Sequence, residues 1–408
     1  MTSETPIDPE LFTALRDPAT HPHDAPPPIE TLTTHASVIC FAGDRVYKVK
    51  RPVAYDFLDY TTPDARRHFC EEEVRLNRRL APDTYLGVST IHRDGDGRIR
   101  IDAEGEVIDY AVRMQRLPAD QMLDARIERN DVTDEDLDAV VDLVARFHAA
   151  CPEGPDVARH ATPERLREQI LDLLDQTRSF TGPLDPDDHA AVPPIIPTPL
   201  HDRLRRAATA FLDDRDALLR RRLEDGSIRE GHGDLHAGNI CVTDQGVIIY
   251  DCIEFSEAFR CNDVAAELAF LAMDLDHGGH RDRADHAVTR YAERTGDDAL
   301  LTLVPFYCLH YACVRLLVTG LRHEGTDDPG EREDARREAT SYGQLAAGYA
   351  IGPALVLTCG LPATGKSRLA EALRRGLHAD WARSDVIRKE LAGLDPHHRP
   401  SDAERETL

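Results

Sequence analysis

The stretch from His232 to Asp251 limits what this chain can fold into more than any other. It reads HGDLHAGN, then an apolar run Ile240–Val242, a polar turn over Thr243–Gly246, a second apolar run Val247–Tyr250, and an aspartate. Two short apolar runs around a polar turn predict an antiparallel hairpin. Asn239 stands just before the first strand and Asp251 just after the second, so the pairing brings both to one edge. Two oxygen ligands meeting there suit Mg²⁺, which takes carboxylate and carbonyl oxygens together with phosphate. Asp234, five residues ahead of Asn239, is then placed to take a proton from an attacking hydroxyl. One base and two metal ligands are what phosphoryl transfer asks of a protein.

The run resembles the catalytic loop of the aminoglycoside phosphotransferase-like branch of the protein-kinase-like fold, where HGDxxxxN stands in place of HRDxxxxN. The resemblance implies that Asp234 is the catalytic base, that Asn239 and Asp251 bind the metal, and that Asp263 is structural. It implies an α+β, bilobal protein-kinase-like fold with a small β-rich N-lobe and a larger helical C-lobe. ATP and Mg²⁺ are the cofactors it implies, and a hydroxyl of a small molecule is the acceptor.

A kinase-like fold needs a strand lysine that holds nucleotide phosphates and pairs with a helix glutamate. The sequence VYKVK, in the second strand of a hairpin predicted over Ser37–Ala42 and Arg45–Lys50, puts Lys48 and Lys50 on one face. A helix is predicted from about Pro63 to Leu80 with Thr62 as its N-cap. Its stripe of Phe69, Leu76 and Leu80 includes Glu73 and leaves out Glu71 and Glu72. An inward carboxylate needs a cation, because a lone buried charge is costly. Lys48 with Glu73 is the expected pair, and Lys50 is the alternative. The segment YAVRMQRLP would be the hinge, with Gln115 and Leu117 offering backbone groups to adenine. No GxGxxG covers the phosphates, so the Gly43–Asp44 turn must serve. Asp251-Cys252-Ile253 replaces DFG and no APE follows, which by family analogy points away from protein substrates.

A second motif, GLPATGKS over Gly360–Ser367, is a full GxxxxGK[ST]. An apolar strand is predicted over Ala354–Cys359 and a helix over Ser367–Leu377, the context a P-loop requires. Backbone groups around Gly360, Thr364 and Gly365 would cradle phosphate, Lys366 would reach the terminal phosphates, and Ser367 would contact Mg²⁺. Downstream, RSDVIRKELAG resembles the substrate segment of small P-loop kinases related to zeta toxins. That resemblance sets Asp385 against the acceptor hydroxyl, while a helix N-cap is the competing role for Ser384 or Asp385. The residues from 354 to 408 are too few for a complete P-loop sheet, so this α/β domain is expected to be truncated.

Composition bears on partners and compartment. Acidic residues outnumber basic ones 74 to 49, and the net charge of −25 argues against a chain that wraps nucleic acid or lies on an anionic membrane. Of the 49 basic residues only Lys48, Lys50, Lys366 and Lys389 are lysines; the first two fall in the VYKVK strand and Lys366 in GLPATGKS. Nine cysteines without a CxxC pair, and a start that lacks the apolar core of a signal peptide, predict a cytoplasmic protein with reduced thiols. The apolar stretch Leu303–Thr319 holds Pro305, His310 and Arg315 and reads as a buried helix, not a membrane span.

The expected order is an N-terminal arm over 1–34, a kinase-like domain over 35–350 and an incomplete P-loop domain over 354–408. The N-lobe covers about 35–117 and the C-lobe about 118–350. The arm is rich in Pro, Thr and Asp and reads as a loop, with His21 and His23 in a solvated tail. Within the C-lobe, Asp134–Ala150 is a clear helix, and the chain is helical again from about Ala258 to Tyr349. Two further functions fit the same residues. One is a nucleotide-binding regulatory module in which a catalytically silent kinase-like domain couples to the P-loop. The other is transfer of AMP in place of phosphate. Oligomeric state and the acceptor's identity are not legible.

Overall fold

A computed structural model describes residues 7–23, 25–55, 58–183, 194–351, 355–361, 364–377, 381–393 and 395. Its first element, helix α1 (Pro9–Leu15), overturns the expectation of an extended arm. Asp8 caps it by accepting the Glu10 N–H at 2.9 Å, Pro9 presets the first turn, and Leu11 and Leu15 fall on one face. That face packs on a six-stranded antiparallel sheet. The strands are β1 (Glu30–Thr33), β2 (Ser37–Ala42), β3 (Arg45–Lys50), β4 (Tyr85–Arg93), β5 (Ile99–Ile101) and β6 (Glu106–Gln115), in the spatial order β1-β2-β3-β6-β4-β5. The predicted hairpin is β2–β3, turned at Gly43 with φ +65°, a backbone region that favours glycine. Strand β4 is harder to read, because its register against β6 shifts at Gly87 and breaks the alternation.

The pleat sends alternate β3 residues to opposite faces. Tyr47 and Val49 join Leu11, Leu15 and Ile29 in one buried cluster. The two histidines expected in a solvated tail are tied down beside it: His21 is buried with Nε2 donating to Leu15 O at 3.0 Å, and His23 Nε2 donates to Ala42 O at 2.8 Å. On the other face, Val46 packs with Val112, Tyr85, Cys70 and Val74, the last two from α2 (Pro63–Asn77). Helix α2 begins where Thr62 Oγ1 accepts the Ala65 N–H, as the sequence predicts.

Helix α3 (Asp134–Ala150) opens on a capping box between Thr133 and Asp136 and buries Leu137, Val140, Val141, Val144 and Phe147. Helix α4 (Val264–His277) is buried along nearly all its length, and α5 (Arg281–Thr295) packs on both. Two short antiparallel pairs complete the frame of the site: β7 (Ile228–Glu230) with β10 (Cys261–Asp263), and β8 (Ile240–Thr243) with β9 (Gly246–Ile249). The architecture is α+β, with an antiparallel sheet in the N-terminal part followed by a largely helical part.

By contacts the chain divides into two compact units, Met1–Leu173 with Ala208–Tyr311, and Leu174–Ala207 with Ala312–Leu408. Helix α6 (Leu300–Gly325) is the one helix among the described residues long and apolar enough to cross a membrane, and 56% of its most apolar window is buried. The second unit holds α7 (Pro329–Ile351), where Arg315 lies over the Tyr342 ring at 5.4 Å, then α8 (Lys366–Leu377) and α9 (Ser384–Leu391). The strand expected over Ala354–Cys359 does not form across the described residues 355–359, and Leu355 and Leu357 are exposed. No neighbouring strand among the described residues offers that segment a ladder. Ala354 itself and the boundary at Gly352–Pro353 lie outside the described residues.

Candidate active site

Lys48 leaves β3 on the side of α2. Its Nζ donates to Glu73 Oε1 at 2.9 Å and to Asp251 Oδ1 at 2.6 Å. Lys50 Nζ donates to Glu73 Oε2 at 2.7 Å, to Tyr60 Oη at 3.3 Å and to Glu254. Glu73 therefore accepts from both lysines, one on each oxygen, and the two sequence alternatives coexist. Of the two, the structure brings Lys48 to Asp251. Burial alone would push both lysines toward the neutral form. Asp251 and Glu73 around Lys48, and Glu254 and Glu73 around Lys50, outweigh it and hold both well above the ordinary lysine value. Burial would likewise raise Glu73, but Lys48 and Lys50 bring it down to about 2. The two ammonium groups and the Glu73 carboxylate stay ionised at neutral pH.

The β8–β9 register pairs Ile240 with Ile249, so Tyr250 N–H donates to Asn239 O at 3.0 Å and Asp251 follows at the same end. This is the convergence the spacing predicts. Asn239 Nδ2 donates to Asp234 O at 3.0 Å and to its Oδ2 at 3.1 Å, fixing the carboxylate. With the amide nitrogen turned to Asp234, a cation would meet the amide oxygen. Asp251 sits at φ +64°, uncommon for a residue with a side chain, and its N–H is held by Tyr85 Oη at 3.1 Å.

The loop ahead of Asp234 hangs on one buried carboxylate. Glu267 accepts the N–H of His232, the N–H of Gly233 at 2.7 Å and His148 Nε2–H at 2.8 Å. A Cβ on Gly231 would fall inside that carboxylate. Burial penalises the Glu267 charge, yet these donors, with His148 foremost, hold it below the usual carboxylate value. His232 donates Nε2–H to Tyr250 O at 3.0 Å and accepts the Asp234 N–H on Nδ1 at 3.3 Å, and burial lowers its pKa, in keeping with a neutral ring. His236 accepts the Gly238 N–H on Nδ1 and turns Nε2 toward Asp234 Oδ2 at 3.6 Å. Asp263 caps α4 and takes both prongs of Arg222.

Gln115 N–H is spent on Thr84 O at 2.8 Å, because β6 and the end of α2's return loop are already paired there, while Leu117 follows beyond the end of β6. In the second unit, Gly360 and Gly365 have φ of +152° and +86°, and Lys366 Nζ donates to Gly360 O at 2.8 Å and Leu361 O at 2.7 Å. Thr364 Oγ1 donates to Leu361 O, and Lys366 and Ser367 open α8. Pro362, Ala363 and the side chain of Asp385 lie outside what is described, though Asp385 falls within α9.

Among the described residues no group of three or more His, Cys, Asp or Glu forms a metal cage. Asn239 and Asp251 would supply one amide and one carboxylate oxygen, a donor set that fits Mg²⁺ completed by phosphate and water.

No family model matches the chain. The uncharacterized protein Rv2004c of Mycobacterium tuberculosis H37Rv is 31% identical over 378 residues, which cover 91% of this chain and 70% of the relative. Protein Mb2027c of Mycobacterium bovis matches to the same extent. The chain belongs to the family of these mycobacterial proteins. Solved structures similar to this family member include a choline/ethanolamine kinase family protein from Mesorhizobium loti, with TM-score 0.45 at 13% identity over 84% of this chain and 99% of that one. A GDP complex of aminoglycoside 2'-phosphotransferase-IIIa gives 0.45 at 14% over 82% and 99%, and a glucosamine kinase gives 0.41 at 17% over 81% and 83%.

Sequence reasoning missed Tyr60, Tyr85, Glu254, Glu267 and His148 in this family member. Glu254 lies three residues past Asp251, but nothing local ties it to Lys50, 204 positions away. Glu267 is the one charged residue in the otherwise apolar run Val264–Met273 of α4, and that is the signal that could have marked it.

Proposed function

We propose that this chain is an ATP- and Mg²⁺-dependent phosphotransferase that moves the γ-phosphoryl group to a hydroxyl of a small molecule. The observation that carries this reading is the Lys48 ammonium bridging Glu73 of α2 and Asp251 of the β9 loop, at 2.9 and 2.6 Å. Such an ammonium, oriented by two carboxylates, suits a nucleotide's phosphates as a compact point charge. Mg²⁺ held by Asn239 and Asp251 would neutralise charge on the phosphates. Asp234, oriented by Asn239, accepts the proton of the acceptor hydroxyl. The acceptor oxygen then bonds to the γ-phosphorus as the bond to the bridging oxygen breaks, and ADP leaves.

The proposal keeps a bilobal kinase-like domain over about 35–350, extended at its start by α1 and β1, with Gln115 and Leu117 at the hinge, and a second nucleotide site at Gly360–Ser367 with Lys366 and Ser367 on phosphate and metal. Asp385 is assigned to the acceptor of that second site. The amine-bearing and sugar substrates named for the similar structures, choline, ethanolamine and glucosamine, set the first compounds to try. ATP consumption across a panel of small hydroxyl compounds tests the reading. Asp234→Ala is expected to abolish acceptor-dependent consumption while ATP affinity stays within about twofold, because the base acts only on the proton in flight. Full activity in that variant would refute the mechanism.

A further inference from the structure

Among the described residues Lys50, like Glu73, is a charged side chain with no exposure, and the reaction assigned to Lys48 leaves it without a task. Its side chain has no exposure, and its three N–H bonds are spent on Glu73, Glu254 and Tyr60. It cannot turn to a phosphate without breaking a buried pair. Glu254 accepts from both Lys50 and Tyr60 and is itself buried. The Lys50 ammonium also lies 4.8 Å from the centre of the Tyr60 ring.

The link matters because of what each partner carries. Glu73 gives its second oxygen to Lys48, so any rotation of Glu73 that loosened Lys50 would also move Lys48. Glu254 ends a four-residue segment that begins at Asp251, and each member is tied to the frame. Asp251 N–H goes to Tyr85, Cys252 N–H to Asn77 Oδ1 at 2.9 Å, Ile253 N–H to His232 O at 3.1 Å, and the Glu254 side chain to Lys50. Three of these use backbone N–H donors, two of them given to side chains. The Glu254–Lys50 ion pair joins the segment to the same glutamate that orients Lys48.

We infer that Glu254 and Lys50 are a positioning pair that sets Asp251 relative to Lys48 and Glu73, and so tunes capture of a metal-bound nucleotide. This rests on the phosphotransferase reading above. The test uses the full chain carrying Lys366→Ala, so that the P-loop does not report, titrated calorimetrically with ATP in Mg²⁺ and again in EDTA. Glu254→Gln is expected to lose about 10-fold or more of the affinity gained from Mg²⁺, with a smaller change in metal-free ATP binding, since a misplaced ligand costs on this scale. Lys50→Met combined with Glu254→Gln is expected to lose no more than the worse single variant, because both act through one bond. If Glu254→Gln does not fold, Tyr60→Phe, which removes only the hydroxyl that donates to Glu254 and accepts from Lys50, is expected to lose about threefold on the scale of one hydrogen bond. A folded Glu254→Gln or Tyr60→Phe chain with the parent's Mg²⁺ gain, or strictly additive losses, overturns the inference alone. A parent chain that binds no ATP in Mg²⁺ overturns the phosphotransferase reading with it.

Discussion

At the scale of single residues the two lysines of β3 differ in what surrounds them, not in what they are. Lys48 keeps 13% of its side chain exposed and touches the carboxylate that would face the metal, whereas Lys50 is sealed among Glu73, Glu254 and Tyr60. Their substitutions should therefore fail in different ways. Lys48→Ala is expected to lose ATP binding or turnover by 10-fold or more while melting near the parent, because Glu73 keeps Lys50 as its counter-ion. Lys50→Ala takes the cation away from buried Glu254, while Glu73 keeps Lys48, and is expected to cost about 3–5 kcal/mol of stability. Paired nucleotide titrations and chemical denaturation curves check both, and an exchange of the two phenotypes would reverse the assignment. The Lys48–Glu73 pairing was legible because a strand period of two and a helix stripe each point one side chain inward. The second oxygen of Glu73 was open in the sequence, and only the packed strand and helix show that Lys50 fills it.

At the scale of elements, the sheet is covered on both faces, by α2 on one and by α1 on the other. Leu15 is fully buried in the α1 cluster. Leu15→Ala is expected to destabilise the chain by about 2–5 kcal/mol through lost burial and a residual cavity. A melt that stays within about 0.5 kcal/mol of the parent would mean that α1 contributes little to the sheet. Helix α1 was hidden in the sequence by the prolines that follow it, although Asp8-Pro9 and the Leu11–Leu15 spacing were sufficient to announce it. The β8–β9 hairpin was legible because its register follows from a short polar turn. The strand expected over 354–359 was misread across its described residues 355–359 for the opposite reason: an apolar run becomes a strand only where another strand receives its hydrogen bonds.

At the scale of the whole molecule, the open question is how many nucleotides one chain holds. Both the Lys48 cluster and the Gly360–Ser367 loop are proposed as phosphate sites, and Lys366 now points its ammonium at carbonyls of its own loop. Titration with ATP and Mg²⁺ is expected to give two nucleotides per chain, falling to one in Lys366→Ala, and one per parent chain would remove the second site. Lysine scarcity anticipated this arithmetic, since three of the four lysines stand at these two places. The sequence by itself determined the residues whose partners are close in the chain or set by a simple period: Asp234, Asn239 and Asp251 around a hairpin, and Lys48 and Glu73 on inward faces. Tertiary structure alone decided which carboxylate each lysine shares, that Glu254 and Glu267 are drawn into the site, and that α1 closes the sheet. Those contacts join residues tens to hundreds of positions apart, and a buried charge chooses its partner by the geometry of packing, which no local pattern encodes.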